Sequence, residues 1–239
     1  MFSEKPINRS PTKQSFFELL LVNKINVEIV CDIGVHQFGT AELMIAFPEA
    51  KHLLVEPVLE FKEPIERLYS HIPHRLYQIG LGAEEGRLKL KLQRSDSDDV
   101  SHSQLGPNDD DQENSYSVDV KTLDWLVSEN PIIKDITTLL KLDVDGKKKE
   151  IIKGAGTAIK YFDLIMIEMP VRFYFERLNI LHNLGFYLLD IVDPTYYHGH
   201  LSQVDMVFAS PNFLNKNKCF LPWEYYDFQW NDYQHWTTG

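Results

Sequence analysis

Short apolar segments alternate with longer segments of helical spacing along most of the chain. The apolar segments are runs of Val, Ile and Leu or alternate with polar residues, which predicts strands. The segments between them place apolar residues three and four positions apart, which predicts helices. The predicted strands cover residues 27–33, 51–57, 86–93, 117–120, 137–146, 163–170, 186–192 and 203–210, and the predicted helices cover residues 15–26, 39–47, 59–71, 122–130, 147–162 and 172–185.

This alternation is typical of an α/β fold, with a doubly wound, mostly parallel sheet and helices on both faces. The last two strands are predicted to form a terminal antiparallel pair. No stretch has the Pro, Gly and Ser composition of an interdomain linker, so the 239 residues are predicted to form a single domain. That domain has an N-terminal helical extension over residues 1–26 and an aromatic C-terminal tail over residues 212–239.

Negative charge is concentrated in one stretch, residues 95–114. The net charge is −11, and this stretch carries seven acidic residues and no Lys or Arg. Its composition predicts a solvated, flexible loop, with a lid over a ligand as the alternative. The acidic balance argues against nucleic acid as a partner, because binding to a phosphate backbone depends on clustered cations.

The chain has no apolar run near the ~20 residues that cross a bilayer, and its first residues lack the apolar centre of a secretory signal. Its two cysteines, Cys31 and Cys219, form no disulfide framework and no metal-ligand spacing. We therefore expect a cytoplasmic protein. The aromatic tail is expected to pack on the domain or on a second subunit. In the second case the protein would be a homo-oligomer.

Acidic residues occur at the ends of four predicted strands, at Asp32, Glu56, Asp143 and Glu168. In open α/β sheets ligands bind outside the carboxyl ends of the strands, so these side chains mark a candidate site. Glu56, at the end of the second strand, is suitably placed for the hydroxyls of a ribose. The alternative for each acid is a helix cap or an ion pair. The glycines match neither a dinucleotide fingerprint nor a P-loop, so both a nicotinamide cofactor and a methyl donor remain open.

Two motifs decide between these cofactors by resemblance. The segments CDIGVHQFGTAELMIAFPEAKHLLVEP and LLKLDVDGKKKEIIKGA resemble the two hallmarks of FkbM-type S-adenosylmethionine-dependent methyltransferases. The resemblance covers roughly residues 27–210 and implies a class I methyltransferase fold, which is Rossmann-like, with S-adenosyl-L-methionine as cofactor. The chain departs from the family pattern at His36, where the family has Asn, at Asp145, where it has Glu, and at Lys148, where it has an acid.

The resemblance also implies methyl transfer, which we expect to reach a hydroxyl of a small molecule or a saccharide. A hydroxyl is a poor nucleophile, so a base or an electrostatic partner is expected. Asp145 is instead expected to cap the helix that begins at Lys147. The alternatives are an NAD(P)-dependent oxidoreductase and an inactive methyltransferase-like binding module. The cofactor-binding residues assigned on this basis are Asp32, Gly34, His36, Glu56, Leu81 and Asp143, and the catalytic candidates are Asp143, Glu168 and His36.

A second candidate site lies near the end of the chain, where Asp193, His198 and His200 occur within eight residues. This spacing could bind a metal or a sugar. Loop histidines without such a role are commoner, so no metal is predicted.

Overall fold

The computed structural model describes residues 10–96, 99–106, 114–131 and 136–220. The helices are α1 (Lys13–Val22), α2 (Ala41–Ala46), α3 (Lys62–Leu68), α4 (Leu123–Glu129), α5 (Lys148–Lys153), α6 (Tyr174–Asn183) and α7 (Pro211–Lys216). The strands are β1 (Val27–Ile33), β2 (Lys51–Val55), β3 (His74–Tyr77), β4 (Gly80–Leu81), β5 (Gly86–Arg94), β6 (Val100–Gly106), β7 (Ser115–Lys121), β8 (Thr137–Leu142), β9 (Leu164–Pro170), β10 (Tyr187–Tyr197) and β11 (His200–Ala209).

The described residues cluster in two compact units, one of which runs from Val27 to Phe162. In this unit four parallel strands lie in the order β8, β1, β2, β3. β1 has the predicted bounds, and its last four residues are buried, as expected of a strand inside a parallel sheet. Ile33, the last residue of β1, is level with Val55 of β2 and Leu142 of β8, so three strand ends lie side by side.

The same unit contains a second sheet that the sequence did not predict, with strands in the order β4, β7, β5, β6. Its edge strand β6 lies inside the stretch predicted to be one flexible loop, residues 95–114. That prediction is wrong for residues 100–106, which pair antiparallel with β5. Val100 and Leu105 of β6 are buried in a core shared with Phe61 and Ile65, which explains how so polar a segment forms a strand. Residues 97–98 and 107–113 lie outside the described residues.

The other compact unit contains the described residues up to Asn26 and from Asp163 onward. Its strands β9, β11 and β10 lie side by side and both ladders are antiparallel, which confirms the predicted terminal pair. The ammonium of Lys13 in α1 contacts the carboxylates of Asp193 and Asp205, which ties the N-terminal helix to this ladder. The tail beyond residue 220, with the oligomer predicted from it, lies outside the described residues, and the single-domain organisation stays a prediction.

Glycines end one predicted helix early. The segment 147–162 was predicted as one helix, but α5 ends at Lys153 and a short 3-10 turn covers Ala158–Tyr161. A β-carbon on Gly154 would overlap the carbonyl oxygen of Gly82, so the chain at this point must be glycine and passes directly over another backbone. Among the described residues, no helix has the length and apolarity to cross a bilayer.

Two predicted helix caps have different outcomes. The Thr122 hydroxyl accepts a hydrogen bond from the Trp125 N–H, so this predicted cap of α4 is confirmed. Asp145 does not cap α5, whose N-cap residue is Lys147 without a side-chain hydrogen bond, so that prediction is wrong. Asp145 instead pairs with His102 of β6.

Candidate active site

Main-chain hydrogen bonds hold the three level strand ends together. The Asp143 N–H donates to the Ile33 carbonyl at 2.9 Å, and the Gly34 N–H donates to the Val55 carbonyl at 2.9 Å. Gly34 has φ of +84°, and a β-carbon there would overlap the Asp143 carbonyl oxygen. Only glycine allows the turn after β1 to approach β8 so closely. Asp143 is thereby fixed beside the end of β1.

Asp32 is fully buried and is bound on both oxygens. Its Oδ2 accepts the hydroxyl hydrogen of Thr40 at 2.7 Å, and its Oδ1 lies 3.2 Å from the Lys141 ammonium. Thr40 is the N-cap residue of α2, but its hydroxyl is used for Asp32 and does not cap the helix. Asp32 therefore connects β1 to the start of α2 and to β8.

Lys141 is the one charged residue of β8, and its side chain is only 6% exposed. Besides Asp32, its ammonium lies 3.4 Å from Oδ2 of Asp143, whose side chain is 40% exposed. Neither Lys141 nor Thr40 was among the candidates predicted from the sequence. The available signal was a lysine in the middle of a fully apolar strand, because such a charge is buried only where it has a partner.

Glu56 follows β2 and is almost fully buried. Its Oε2 accepts the His36 N–H at 2.9 Å, and its Oε1 accepts the Val58 N–H at 3.0 Å. Burial raises the pKa of Glu56, and these two N–H groups oppose the rise by stabilising the carboxylate. The carboxylate thus holds the turn after β1 against the end of β2.

His36 adopts a left-handed backbone conformation with φ of +55°. Its ring lies 4.5 Å from the Phe61 ring and hydrogen bonds to the main chain of Val100. Burial lowers the pKa of His36, while that hydrogen bond and the charge of Asp143 oppose the change. The imidazole is therefore neutral near pH 7.

Strand β6 contacts the turns that carry the candidate residues. Besides the contact between Val100 and His36, Nδ1 of His102 lies 3.4 Å from Oδ2 of Asp145. A β-carbon on Gly146 would lie 3.1 Å from Nε2 of Gln104, so this side chain also reaches the turn after β8. The acidic stretch thus contributes a strand that contacts the turns after β1 and β8, and the lid alternative stays a prediction.

The structure brings Asp32, Gly34, His36, Glu56 and Asp143 together, whereas the other two candidates belong to the second sheet and to the other compact unit. Leu81 is buried in β4 of the second sheet, opposite Lys121 of β7. Glu168 belongs to the other compact unit, where its Oε1 accepts a hydrogen bond from Nε2 of Gln203 at 2.8 Å.

The histidines near the end of the chain form no cluster with Asp193 that could hold a metal. His198 and Gly199 make the turn between β10 and β11, and both have positive φ. Asp193 is paired with Lys13. Within the ranges that the structure describes, no group of three or more His, Cys, Asp or Glu residues is placed to bind a metal ion.

The family model of the methyltransferase FkbM domain matches residues 32–202, which include all four of the strand-end acids. The chain belongs to the FkbM methyltransferase family. Its fold is the α/β, Rossmann-like fold of class I methyltransferases, and S-adenosyl-L-methionine is its cofactor. Membership in the family confirms the resemblance found in the sequence and favours a methyltransferase over an NAD(P)-dependent oxidoreductase. No curated protein matches the chain.

Several solved methyltransferases resemble the structure at low identity. A precorrin-6y C5,15-methyltransferase from Geobacter metallireducens GS-15 is 11% identical, with 87% of this chain and 92% of that chain covered and a TM-score of 0.44. An rRNA methylase from Streptococcus thermophilus is 10% identical, with 88% and 99% covered and a TM-score of 0.46. Streptococcus pneumoniae Sp1610, in complex with S-adenosyl-L-methionine, is 10% identical, with 82% and 72% covered and a TM-score of 0.42.

Proposed function

We propose that this methyltransferase methylates a hydroxyl group of a small molecule or a saccharide, and that Asp143 accepts the hydroxyl proton. The observation that carries the proposal is a difference in exposure among the three acids at the strand ends. Asp32 and Glu56 are 0% and 5% exposed, whereas the Asp143 side chain is 40% exposed. Asp143 is therefore the acid of this group that an acceptor can reach.

The residues at the strand ends fit S-adenosyl-L-methionine by their chemistry. We assign Glu56 to the ribose hydroxyls, because a carboxylate has more than two acceptor positions and its two N–H partners leave others for a ligand. The turn at Gly34 and His36 would lie against the cofactor, and the charge of Asp143 suits its cationic methionine end. Asp32, whose oxygens bind Thr40 and Lys141, would act by holding these groups in place.

The cofactor, when bound, supplies a methyl group that is already activated by the positive sulfur. The protein must then orient the acceptor oxygen and remove its proton. Asp143 is the main candidate for the second task. A neutral His36 and Glu168 are the other candidates, and the charge of −11 favours a small or saccharide acceptor over nucleic acid. Free Cys31 and Cys219 are consistent with the reducing cytoplasm proposed as its location.

The test compares Asp143→Asn with the control Asp119→Asn. Asp119 is an exposed acid paired with Arg87 at 3.1 Å, so the control makes the same chemical change at another ion pair. Purified protein is incubated with S-adenosyl-L-methionine and a set of sugars, phenols and alcohols. The rate is measured as the formation of S-adenosylhomocysteine, and the methylated product is identified by its mass. Asp143→Asn should lose about 100-fold or more in rate with little change in melting temperature.

Three results would contradict the proposal. Full turnover by Asp143→Asn would remove Asp143 from the proton transfer. A product methylated on nitrogen or carbon would correct the acceptor class. Tight binding of S-adenosylhomocysteine in calorimetry, with no turnover on any acceptor, would favour the inactive binding module.

A further inference from the structure

The buried ammonium of Lys141 lies among acidic side chains from three neighbouring strands. It lies 3.2 Å from Asp32 of β1 and 3.4 Å from Asp143, which follows its own strand β8. Burial raises the pKa of Glu56, which follows β2, and the positive charge of Lys141 opposes that rise. One cation therefore lies beside two carboxylates and interacts electrostatically with a third. A buried cation is costly without such partners, so this arrangement is held by its charges.

The four groups form a chain from the core to the surface. The Thr40 hydroxyl donates to Asp32, Asp32 contacts Lys141, and Lys141 contacts Asp143. The first three side chains are buried and Asp143 is the exposed end. Because each link fixes the next, the position of the Asp143 carboxylate is set by residues that no acceptor touches.

We propose that Lys141 is a positioning residue, which holds the carboxylate of Asp143 in its ionised form and in one orientation for methyl transfer, with Asp32 as its anchor. This inference rests on the proposed role of Asp143 as proton acceptor. A carboxylate that must accept a proton has to be ionised at the working pH. Without the ammonium, the buried negative charge of Asp32 would oppose the ionisation of Asp143, and protonation would become easier.

Other titrating groups surround this network and must be followed with it. His36, in the turn after β1, interacts electrostatically with Asp143 and with His102 of β6. Tyr69, after α3, interacts with Asp32 and Lys141, and burial raises its pKa. The phenol is therefore neutral across the working range. His36 must therefore be followed together with Asp143, because histidine is the side chain that ordinarily titrates nearest to neutral pH.

The experiment uses Lys141→Met, Lys141→Arg and the double variant Asp32→Asn/Lys141→Met. The single Met variant leaves Asp32 buried without its cation and could fail to fold. The double variant removes that charge as well and should melt close to the wild type, because replacing both partners of a buried pair is often neutral. Lys121→Met is the control, since Lys121 forms an ion pair with Glu85 on the surface.

The first readout is the titration of the Asp143 carboxyl group, which carbon NMR of protein labelled at aspartate monitors. The signal of Asp143 is identified by its absence from the spectrum of Asp143→Asn. The midpoint for Asp143 should rise by roughly one to three pH units in Lys141→Met, where the Asp32 charge remains, and by less in the double variant, where that charge is also removed. Lys141→Arg and the control should leave it in place. An unchanged midpoint in a folded double variant would overturn the inference whether or not methyl transfer is detected.

The second readout is methyl transfer across pH. In the double variant the rate constant should fall about 100-fold with a nearly unchanged KM for the acceptor, and the acid limb of the pH profile should move upward. Lys141→Arg should restore most of the rate. A wild-type rate and pH profile in the double variant would refute the positioning role. A wild type that transfers no methyl group, with a shifted Asp143 midpoint in the double variant, would refute the proposed function alone.

Discussion

Asp143 and Asp145 lie two residues apart in the turn after β8, and each faces one basic side chain at the same distance. Asp143 lies 3.4 Å from the Lys141 ammonium, and Asp145 lies 3.4 Å from the His102 ring nitrogen. Lys141 is 6% exposed, whereas the His102 and Asp145 side chains are 67% and 53% exposed. Equal distances therefore describe pairs in very different surroundings.

The less exposed of the two pairs has the stronger influence on the site. In a poorly solvated setting, two charges interact strongly and the loss of one partner leaves the other buried and uncompensated. At the surface, water and salt screen the attraction, and such pairs contribute little. We infer that the Lys141 side of the turn is rigid and organises the candidate site, whereas the His102 side joins β6 to it weakly.

The largest expected effect comes from matched glycine substitutions on the two sides, Gly34→Ala and Gly146→Ala. Both glycines have positive φ, +84° and +75°, so both variants share a conformational cost of about 1–2 kcal/mol. At Gly34 the new methyl group also overlaps the main chain of Asp143, which adds roughly 3 kcal/mol. At Gly146 it meets the Gln104 side chain, which can move aside. Urea unfolding of both variants measures the difference.

Gly34→Ala is thus expected to lose about 5 kcal/mol or to fail to fold, which is comparable to the whole stability of many domains. Gly146→Ala should remain folded. Equal losses in the two variants would show that the approach between the β1 turn and β8 is looser than described.

The next comparison is between the stability losses of Asp32→Asn and Asp145→Asn. The first removes an acidic partner of Lys141, and the second removes the acidic partner of His102. Asp32→Asn removes the buried anchor of Lys141 and should cost roughly 3–5 kcal/mol in the free energy of unfolding. Asp145→Asn should cost less than about 1 kcal/mol. Both values come from denaturant unfolding at low salt. A small loss for Asp32→Asn would mean that Asp143 and its surroundings alone stabilise the lysine.

The parallel part of this framework could be predicted from the sequence for a physical reason. The last four residues of β1 and the last five of β8 are buried, and buried strands of a parallel sheet are apolar over most of their length, which the sequence shows directly. The acids at their ends were equally visible, because the carboxyl ends of parallel strands meet at one edge. The positions of Asp32, Glu56 and Asp143 were therefore expected before any contact was known.

The remaining features depend on contacts that no local pattern records. β6 has buried apolar residues only at Val100 and Leu105, and its strand conformation comes from pairing with β5. The break after α5 depends on a backbone approach between Gly154 and Gly82. The position of Lys141 in β8 signals a buried charge, but its partners Asp32 and Asp143 come from different elements and are identified only by their contacts.

A third prediction concerns Glu56, which follows β2, and tests whether this residue both binds the cofactor and stabilises the turn after β1. Glu56→Ala should weaken the binding of S-adenosylhomocysteine by roughly 10- to 150-fold, equivalent to a charge-assisted hydrogen bond of about 1.5–3 kcal/mol. It should also lower the free energy of unfolding by about 1–3 kcal/mol, because the His36 and Val58 N–H groups lose their acceptor.

Calorimetry under conditions where the variant is folded separates the affinity from the stability. Glu60→Ala is the control, since Glu60 follows soon after Glu56 and pairs with Arg94 near the surface. Unchanged affinity in Glu56→Ala, together with the expected loss of stability, would limit Glu56 to holding the turn.

A smaller effect concerns the histidine between the two sides. Burial lowers the pKa of His36, so the unfolded chain binds this proton more tightly than the folded protein. The free energy of unfolding should therefore fall as the pH drops through about 6.5, the ordinary pKa of histidine. His36→Gln should reduce that fall between pH 7 and 5 by less than about 1 kcal/mol, since the ring is partly solvated. A slope in His36→Gln equal to that of the wild type would place the proton uptake elsewhere.

The smallest expected effect is the coupling between His102 and Asp145. A double-mutant cycle with His102→Gln and Asp145→Asn should give a coupling energy of about 0.2–1 kcal/mol, because both side chains are more than half exposed. The attraction requires a protonated imidazole, so the coupling should be larger at pH 5 than at pH 8, and 1 M salt should reduce it by screening. Urea unfolding of the four proteins at each condition gives the energies. A coupling energy of several kcal/mol that remains in high salt would show that the His102–Asp145 pair is as strong as the Lys141–Asp143 pair. The two sides of the turn would then not differ.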